Sequence, residues 1–336
     1  MWQLVLMING YFISVLGCAM LTVAGYDMYA NHLSWSYFLN AALFTFFIGM
    51  SLFLSNRTTV NNISIKQGYL LTTTSWLSIS ILSALPFVLY GCVDNFHDAF
   101  FEAVSEISGT GATIFKDVEA LPKPILLWRS ILNCLGGIGV IIFAVALLPL
   151  LGIGGMQIFE LENSDINDKF MPKFHYIAKR IILVYVLFDI SCIVCLYFAG
   201  MGWFDAVAHG LSAVATAGSS TKNQSIAFYN SPLIEAVLIL FMILSALPMT
   251  FFVMLMQNKF RHSIRTVQVV AFLKTLFCIV VGLALWMRVF GVKNDIFSCL
   301  RYAAFNVVSV VTTTGLSSDD FLSWGSFSVA AFAVMS

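Results

Sequence analysis

Residues 99–111 read AFFEAVSEISGTG, residues 206–218 read AVAHGLSAVATAG, and residues 303–315 read AAFNVVSVVTTTG. The three stretches align without gaps. Each begins with alanine, has valine or leucine and then serine at its sixth and seventh positions, and ends on glycine. Each also lies between long apolar runs, so the sequence repeats a unit made of a helix, a half-helix with a glycine-ended loop, and a second helix.

The composition around these stretches predicts a membrane protein. Hydrophobic residues make up 60% of the 336 positions and charged residues only 10%, against about 25% charged residues in a globular chain. Runs of roughly 20 apolar residues, enough to cross a bilayer, recur along the chain. We predict an all-α polytopic membrane protein with eight spans, at about 3–25, 35–54, 69–90, 124–151, 180–200, 232–256, 267–290 and from 321 onward.

Basic residues in alternate loops predict the orientation, because lysine and arginine concentrate in cytoplasmic loops. They follow the second, fourth and sixth spans, at Arg57, Lys66, Lys169, Lys173, Lys179, Arg180, Lys259, Arg261 and Arg265. We therefore expect the N-terminus in the cytoplasm and the three glycine-rich segments entering from outside. The 17 basic and 17 acidic residues balance, so the charge gives no sign of a nucleic-acid partner.

The glycine-ended loops are candidates for an ion path. Non-helical backbone at membrane depth survives only when it is buried in protein or lines a water-filled path. A half-helix followed by extended Thr/Gly backbone can aim carbonyl oxygens at an axis, where they replace the hydration shell of an ion. The alternative is an ordinary extracellular loop with turn-forming residues. Three copies in register favour pore loops; four would close a ring, and this sequence shows three.

Several further motifs accompany the loops. They are Thr110-Gly111-Ala112-Thr113, LWR at 127–129, GGIG at 136–139, LPLLGIGGMQ at 148–157 and TTTG at 312–315. Together they resemble the Trk/Ktr/HKT superfamily of potassium transporters, and the sequence is most similar to the bacterial Trk membrane subunit. One departure is the second loop, which has Thr216-Ala217-Gly218-Ser219-Ser220 where the family usually has consecutive glycines and an aromatic residue, although Gly218 keeps its place.

The resemblance implies potassium uptake across the bacterial inner membrane by a multi-pass protein that is not an enzyme and has no cofactor besides the transported ion. It implies a homodimer in membrane lipid, with a cytosolic nucleotide-binding regulatory subunit (TrkA-like) and no nucleic acid. Whether transport is channel-like or a symport with H+ or Na+ stays open, and the alternative function is an ion-coupled secondary transporter for another substrate. The expected potassium filter comprises Ser108, Gly109, Thr110, Gly111, Ala215, Thr216, Ala217, Gly218, Thr312, Thr313, Thr314 and Gly315.

The same resemblance implies the division of the chain. We expect two leading transmembrane helices at 1–66, then pore unit 1 at 67–155, pore unit 2 at 156–258 and an incomplete pore unit 3 at 259–336. A fourth unit is absent. The last apolar run stops at Ser336 without a polar flank, so we expect this sequence to be a fragment of something longer.

Ionisable residues within spans are functional candidates because they are costly in lipid. Arg129 and Glu235 lie near the predicted starts of their helices, and each either has a role within the membrane or, at least as readily, reaches the outer interface. Asp189 and Lys274 lie deeper, and each is either part of a buried structural pair or a gating residue.

Two further features of the first unit carry open alternatives. Glu102 and Glu106, one turn apart, either attract cations at the outer mouth or divide into one residue facing water and one bonded to protein. The glycines at 136–139 follow no strand, so we interpret them as small residues that let helices approach closely rather than as a nucleotide loop.

The orientation is testable by labelling. Single cysteines placed in loops 155–179 and 257–266 should be unreactive to an impermeant maleimide added to intact cells, whereas a cysteine near Asp117 should react. Labelling in the opposite pattern would invert the topology and place the glycine loops on the cytoplasmic side.

Overall fold

The computed structural model describes residues 2–30, 34–58, 64–147, 170–256, 267–293 and 295–335. Within these residues every regular element is helical. The α-helices are α1 Trp2–Tyr29, α2 Trp35–Ser55, α3 Ile65–Ser83, α4 Leu85–Leu89, α5 Phe96–Ser108, α6 Lys123–Leu147, α7 Phe170–Phe198, α8 Trp203–Val214, α9 Pro232–Ala246, α10 Met249–Met256, α11 Val267–Val289, α12 Ile296–Val311 and α13 Ser326–Met335. Short 3₁₀ turns cover Ser225–Tyr229 and Phe321–Trp324.

In the part of the chain that the structure describes, six helical segments are long and apolar enough to cross a membrane. They are Trp2–Tyr29, Trp35–Ser55, Ile65–Leu89, Lys123–Ile141, Ala178–Phe198 and Gln268–Val289. The two other predicted spans differ from expectation. The helix from Pro232 stops at Ala246, because Pro248 has no backbone N–H and holds Leu247 in an extended conformation with ψ 146°. The predicted last span is the 10-residue helix α13, preceded by a 3₁₀ turn.

Part of the sequence-based topology lies outside the described residues. This applies to the basic loop 257–266, to residues 155–169 of the other predicted cytoplasmic loop, and to the motif at 148–157. The orientation of the chain therefore stays a prediction.

The chain forms two compact units. The first comprises residues 1–108, 112–116 and 120–178, and the second comprises residues 179–336 together with 109–111 and 117–119. In the first unit, α1 packs on α2 and α5 packs on α6. In the second, α12 packs against α11 and α9. All three glycine-ended loops, including residues 109–111, thus belong to the second unit.

Trp128 organises the core of the first unit. Its side chain is fully buried and meets the Phe38 ring edge-on, with 6.2 Å between ring centroids. The indole Nε1 donates a hydrogen bond of 3.0 Å to the Ser83 carbonyl. This carbonyl is the last of α3 and would otherwise have to find a partner outside its own helix. One side chain therefore connects α6 to α2 and to the end of α3.

Helices α1 and α2 approach each other backbone to backbone. A Cβ atom on Gly10 would lie 2.5 Å from the Phe53 nitrogen and 2.7 Å from the Gly49 carbonyl oxygen. A Cβ on Gly49 would in turn lie 2.6 Å from the Ser14 nitrogen. In a membrane, where lipid is as apolar as leucine, such close packing of small residues is a main source of helix association.

Alanine substitutions separate this packing from helix propensity. Gly10→Ala should destabilise the purified protein by about 1–3 kcal/mol, since the methyl group meets backbone that cannot move aside. Gly25 lies on the same helix with nothing within 4 Å of its Cβ position. Gly25→Ala should leave thermal stability in detergent unchanged or raise it, because alanine is the better helix former. Equal melting temperatures for the two variants would contradict the close approach.

Candidate filter site formed by the glycine loops

Each of the three repeated stretches begins as a short helix and leaves it just before its final glycine. The helices α5, α8 and α12 end at Ser108, Val214 and Val311. In the second and third copies the residues that follow still bond back to the last turn of the helix: the Ala217 N–H donates to the Ser212 carbonyl at 3.0 Å, and the Thr314 N–H donates to the Ser309 carbonyl at 2.8 Å. The first of the expected filter residues, Ser108, is still helical, and the other eleven lie in the loops.

The three loops share one backbone conformation. The eleventh residue of the common register has positive φ in every copy, at Gly109 (71°), Thr216 (53°) and Thr313 (58°). The final glycine does too, with φ of 70° at Gly111, 79° at Gly218 and 83° at Gly315. A β-branched residue with positive φ is a genuine outlier, and such strain concentrates at functional sites.

The loops also lie against one another in register. A Cβ atom on Gly111 would overlap the carbonyl oxygen of Ala217, and a Cβ on Gly218 would overlap that of Thr314. Each overlap involves the final glycine of one loop and the residue before the final glycine of the next. The structure therefore brings the first loop against the second, and the second against the third, by the same contact.

Side-chain exposure differs along the third loop. Thr312 and Thr314 are buried, and their hydroxyl oxygens lie 2.8 Å apart in a hydrogen bond. Thr313 and Gly315, in contrast, are exposed. The alternation leaves the strained residue Thr313 and the glycine accessible while the two neighbouring threonines anchor the loop.

Hydrogen bonds join the segments that follow the glycines. Asn223, after the second loop, accepts from the Val118 backbone N–H at 2.8 Å and donates to Asp117 at 2.8 Å. On its other side, the Ser317 carbonyl accepts from the backbone N–H groups of Ile226 and Ala227 at 3.0 and 3.1 Å. Residues 219–230, the return segment of the second loop, are thus bonded to the segments that follow the first and third loops.

Tyr229 closes the same return segment. Its ring meets that of His209 edge-on, with 5.7 Å between centroids. Burial is the main reason that the pKa of Tyr229 lies above its usual range, and Asp205 acts in the same direction. The phenol therefore stays uncharged at physiological pH.

In the first unit, Arg129 forms a buried triad with Glu102 and Glu106. Its Nε lies 2.8 Å from Glu102 Oε1 and its Nη2 lies 2.7 Å from Glu106 Oε1, with all three side chains at most 3% exposed. The expectation that Arg129 reaches the interface is wrong, and neither alternative for the two glutamates holds, because both carboxylates are buried and paired. Removing one partner of such a group is costly, since it leaves an unpaired charge.

The glycine run at 136–139 has the predicted packing role at its first member. A Cβ on Gly136 would overlap the carbonyl oxygen of Ile107, so α6 can approach the end of α5 only without a side chain there. Gly139 has nothing within 4 Å of its Cβ position, so this contact does not reach the last glycine of the run.

The remaining ionisable candidates resolve differently. Glu235 is 1% exposed and pairs with Arg301, whose Nη2 lies 2.7 Å from Glu235 Oε1 and whose Nε lies 2.7 Å from Oε2. The prediction that Glu235 reaches the outer interface is therefore wrong. Sequence reasoning missed Arg301. The available signal was that a basic residue on the half-helix α12 could neutralise the glutamate in the first turn of α9. Asp189 is buried, whereas Lys274 is exposed.

Comparison with known proteins decides the family. The TrkH family model, described as a cation transport protein, matches residues 35–276. The chain belongs to this family. It is a transport family rather than an enzyme family, and the match confirms the resemblance predicted from the sequence. Together with the six apolar helices among the described residues, it also confirms the prediction of a multi-pass protein of the bacterial inner membrane.

Individual relatives agree with the family. The Trk system potassium uptake protein TrkI of Halomonas elongata is 38% identical over 267 residues, which are 79% of this chain and 54% of that protein. TrkG of Escherichia coli K12 is 33% identical over 300 residues, or 86% of this chain and 62% of that protein. The chain therefore spans little more than half the length of these curated relatives.

A solved structure carries the same fold. The crystal structure of the potassium transporter TrkH from Vibrio parahaemolyticus matches with a TM-score of 0.90 at 26% identity, covering 100% of this chain and 69% of that chain. The all-helical membrane fold predicted from the sequence is thereby confirmed.

Two glycines of the first loop allow a matched test of the contact between loops. Gly109 and Gly111 have nearly the same φ, but a Cβ on Gly109 meets nothing closer than 3.9 Å. Alanine at either position should cost about 1–2 kcal/mol for the left-handed backbone. Gly111→Ala should cost about 1–3 kcal/mol more, because of the overlap with the Ala217 carbonyl. Thermal unfolding of the purified variants measures the difference, and equal losses would contradict the contact.

Proposed function

We propose that this protein is the membrane subunit of a potassium-uptake system, in which the three glycine loops line the ion path. The observation that carries the proposal is the shared loop geometry: two left-handed residues in the same register in each copy, and the same glycine-to-carbonyl contact between successive loops. The relatives named as potassium uptake proteins support the choice of ion.

The half-helices supply a physical reason for cation binding. The C-terminal end of a helix carries about half a negative elementary charge, from carbonyls that have no partner within the helix. The helices α5, α8 and α12 all end where the filter segments begin. A potassium ion at the loops would thus experience three negative helix ends together with the carbonyl oxygens of the loops.

The loops contribute geometry more than charge. A filter replaces the hydration shell with carbonyls whose number and positions determine the ion preference. We propose that the expected residues, 108–111, 215–218 and 312–315, perform this role. The close contacts at Gly111 and Gly218 hold neighbouring carbonyls at fixed spacing, because neither loop can shift toward the other without a collision.

The partners belong to the same proposal. We infer a homodimer in membrane lipid that works with a cytosolic nucleotide-binding regulatory subunit, as the family resemblance implies. We also propose the division into two leading helices at 1–66 and pore units at 67–155, 156–258 and 259–336. In each proposed pore unit a half-helix, α5, α8 or α12, carries one glycine loop.

Serine at the third glycine tests the ion path. Gly315 has φ 83° and open space around its Cβ position, so Gly315→Ser introduces backbone strain and a side chain at the filter without a buried collision. Sodium binds its water more tightly than potassium, and a distorted filter should therefore lose discrimination before it loses conduction. In the complete gene product, potassium uptake should fall and the sodium-to-rubidium flux ratio should rise.

The matched control is Gly291→Ser. Gly291 has φ 70° and likewise nothing within 4 Å of its Cβ position, but it lies in the turn after α11. It should leave the flux ratio unchanged. The assay is growth of a potassium-uptake-deficient bacterium on limiting potassium, with fluxes measured in parallel and the regulatory subunit present. Failure of the unmutated protein to restore growth would favour the alternative, an ion-coupled transporter of another substrate.

A further inference from the structure

The fourth residue of the common register, which lies on each half-helix, is polar and buried in all three copies. It is occupied by Glu102, His209 and Asn306, whose side chains are 0%, 0% and 1% exposed. Their chemistry differs, and none belongs to the expected filter. A polar group at this depth needs a hydrogen-bond partner, because burial without one is costly.

Each of the three side chains forms a hydrogen bond with the segment that follows the final glycine of its own loop. Glu102 accepts a hydrogen bond from the Thr113 hydroxyl at 3.0 Å and another from the Ile114 N–H at 3.1 Å. His209 Nε2 lies 2.9 Å from the Ser220 hydroxyl. Thr113 and Ser220 each stand two residues after the final glycine of their loop.

The third copy has the same kind of hydrogen bond, but the partner lies one residue further from the final glycine. The Asn306 side-chain amide donates to the Ser318 hydroxyl at 3.1 Å, and Ser318 stands three residues after Gly315. The same amide also donates to the Tyr302 carbonyl, four residues earlier on its helix, at 3.0 Å. Both amide hydrogens therefore have acceptors, which fixes the orientation of the side chain.

The bonds of His209 follow the same arrangement. Its Nδ1 lies 2.8 Å from the Asp205 carbonyl, again four residues earlier. A carbonyl oxygen can only accept, so we assign the proton to Nδ1, and Nε2 of the neutral ring accepts from Ser220. The Ser220 oxygen in turn accepts from the Lys222 N–H at 3.0 Å. Every bond in this chain has one donor and one acceptor.

A second tie comes from the seventh position, which lies on the same helix face one turn later. The Ser105 hydroxyl donates to the Ala112 carbonyl at 2.5 Å, and the Ser309 hydroxyl donates to the Leu316 carbonyl at 2.6 Å. In both copies the acceptor immediately follows the final glycine. In the second copy the Ser212 hydroxyl is buried and has no hydrogen-bond partner among the described residues.

We propose that Glu102, His209 and Asn306 are positioning residues, which together with the seventh-position serines hold the segment after each final glycine and thereby set the ion preference of the filter. This inference rests on the proposed function. In the first and third copies, the seventh-position serine holds the carbonyl of the residue after the final glycine, and the fourth-position side chain holds a residue two or three positions after that glycine. The second copy depends on His209 for this attachment, because Ser212 does not contribute.

The third copy is the best place for a test, because its tie involves no charged group. Ser318→Ala removes the acceptor hydroxyl, Asn306→Leu removes the donor at similar volume, and Ser318→Thr keeps a hydroxyl. Ser328→Ala is the matched control: this buried serine on α13 donates to the Gly325 carbonyl at 2.6 Å and to the Phe321 carbonyl at 3.2 Å, and its hydroxyl bonds neither Asn306 nor Ser318. All variants are made in the complete gene product, purified and reconstituted at equal amounts into liposomes.

The rubidium-over-sodium flux ratio is the first readout. Ser318→Ala and Asn306→Leu should each lower the ratio about three- to tenfold, the range that one net hydrogen bond corresponds to. The double variant should be no worse than the worse single variant, because both changes remove the same bond. Ser318→Thr should recover most of the ratio, and Ser328→Ala should match the unmutated protein. An unchanged ratio in Ser318→Ala, independent effects in the double variant, or an equal loss in Ser328→Ala would overturn the proposal.

Hydrogen exchange of residues 312–320 is the second readout and does not depend on transport. In Ser318→Ala the amides of this segment should exchange faster while those of α11 stay unchanged; unchanged exchange in the segment would overturn the positioning role. If the unmutated protein carries no rubidium, the proposed function fails, and the exchange result still decides whether Asn306 and Ser318 hold the loop.

Discussion

Backbone that leaves a helix at membrane depth gives up its internal hydrogen bonds, and the surrounding lipid offers nothing in exchange. Under the proposed function, this constraint governs the three glycine loops. Each begins where α5, α8 or α12 ends, and each contains residues with left-handed backbone that only glycine adopts at little cost. Such a loop keeps one conformation only if the protein around it supplies partners. Backbone carbonyls of the last helical turn supply some of them, and the hydroxyl, carboxylate, imidazole and amide groups of the half-helices supply others.

Much of the fold was predictable because hydrophobicity is a local property. Spans of about 20 apolar residues and a gapless repeat can be recognised in the sequence without knowledge of the tertiary contacts. One exception was the run 232–256, where Pro248 interrupts a stretch that composition alone presents as continuous. The glycines at the loop ends were also predictable in position, although the contact between Gly111 and Ala217 depends on residues about a hundred positions apart.

What sequence reasoning missed was pairing. Arg129 and Glu235 were expected at an interface because each lies near a helix start, whereas the structure buries both against partners. The fourth position escaped notice for a related reason: Glu102, His209 and Asn306 share no chemical identity, only polarity and burial. The seventh position, serine in all three copies, was visible, but its acceptor lies across the loop. The second loop is the one for which the sequence predicted a departure from the family pattern, and its seventh-position serine, Ser212, has no hydrogen-bond partner among the described residues.

The backbone contact between α1 and α2 bears on how the chain enters the bilayer. The two helices are consecutive, and only the residues between Tyr29 and Trp35 separate them. Closing so short a connection costs little chain entropy. The complementary surfaces at Gly10 and Gly49 are both present once the second helix has left the ribosome. This hairpin can therefore form during synthesis, before any glycine loop exists, and offers later helices an assembled surface on which to dock.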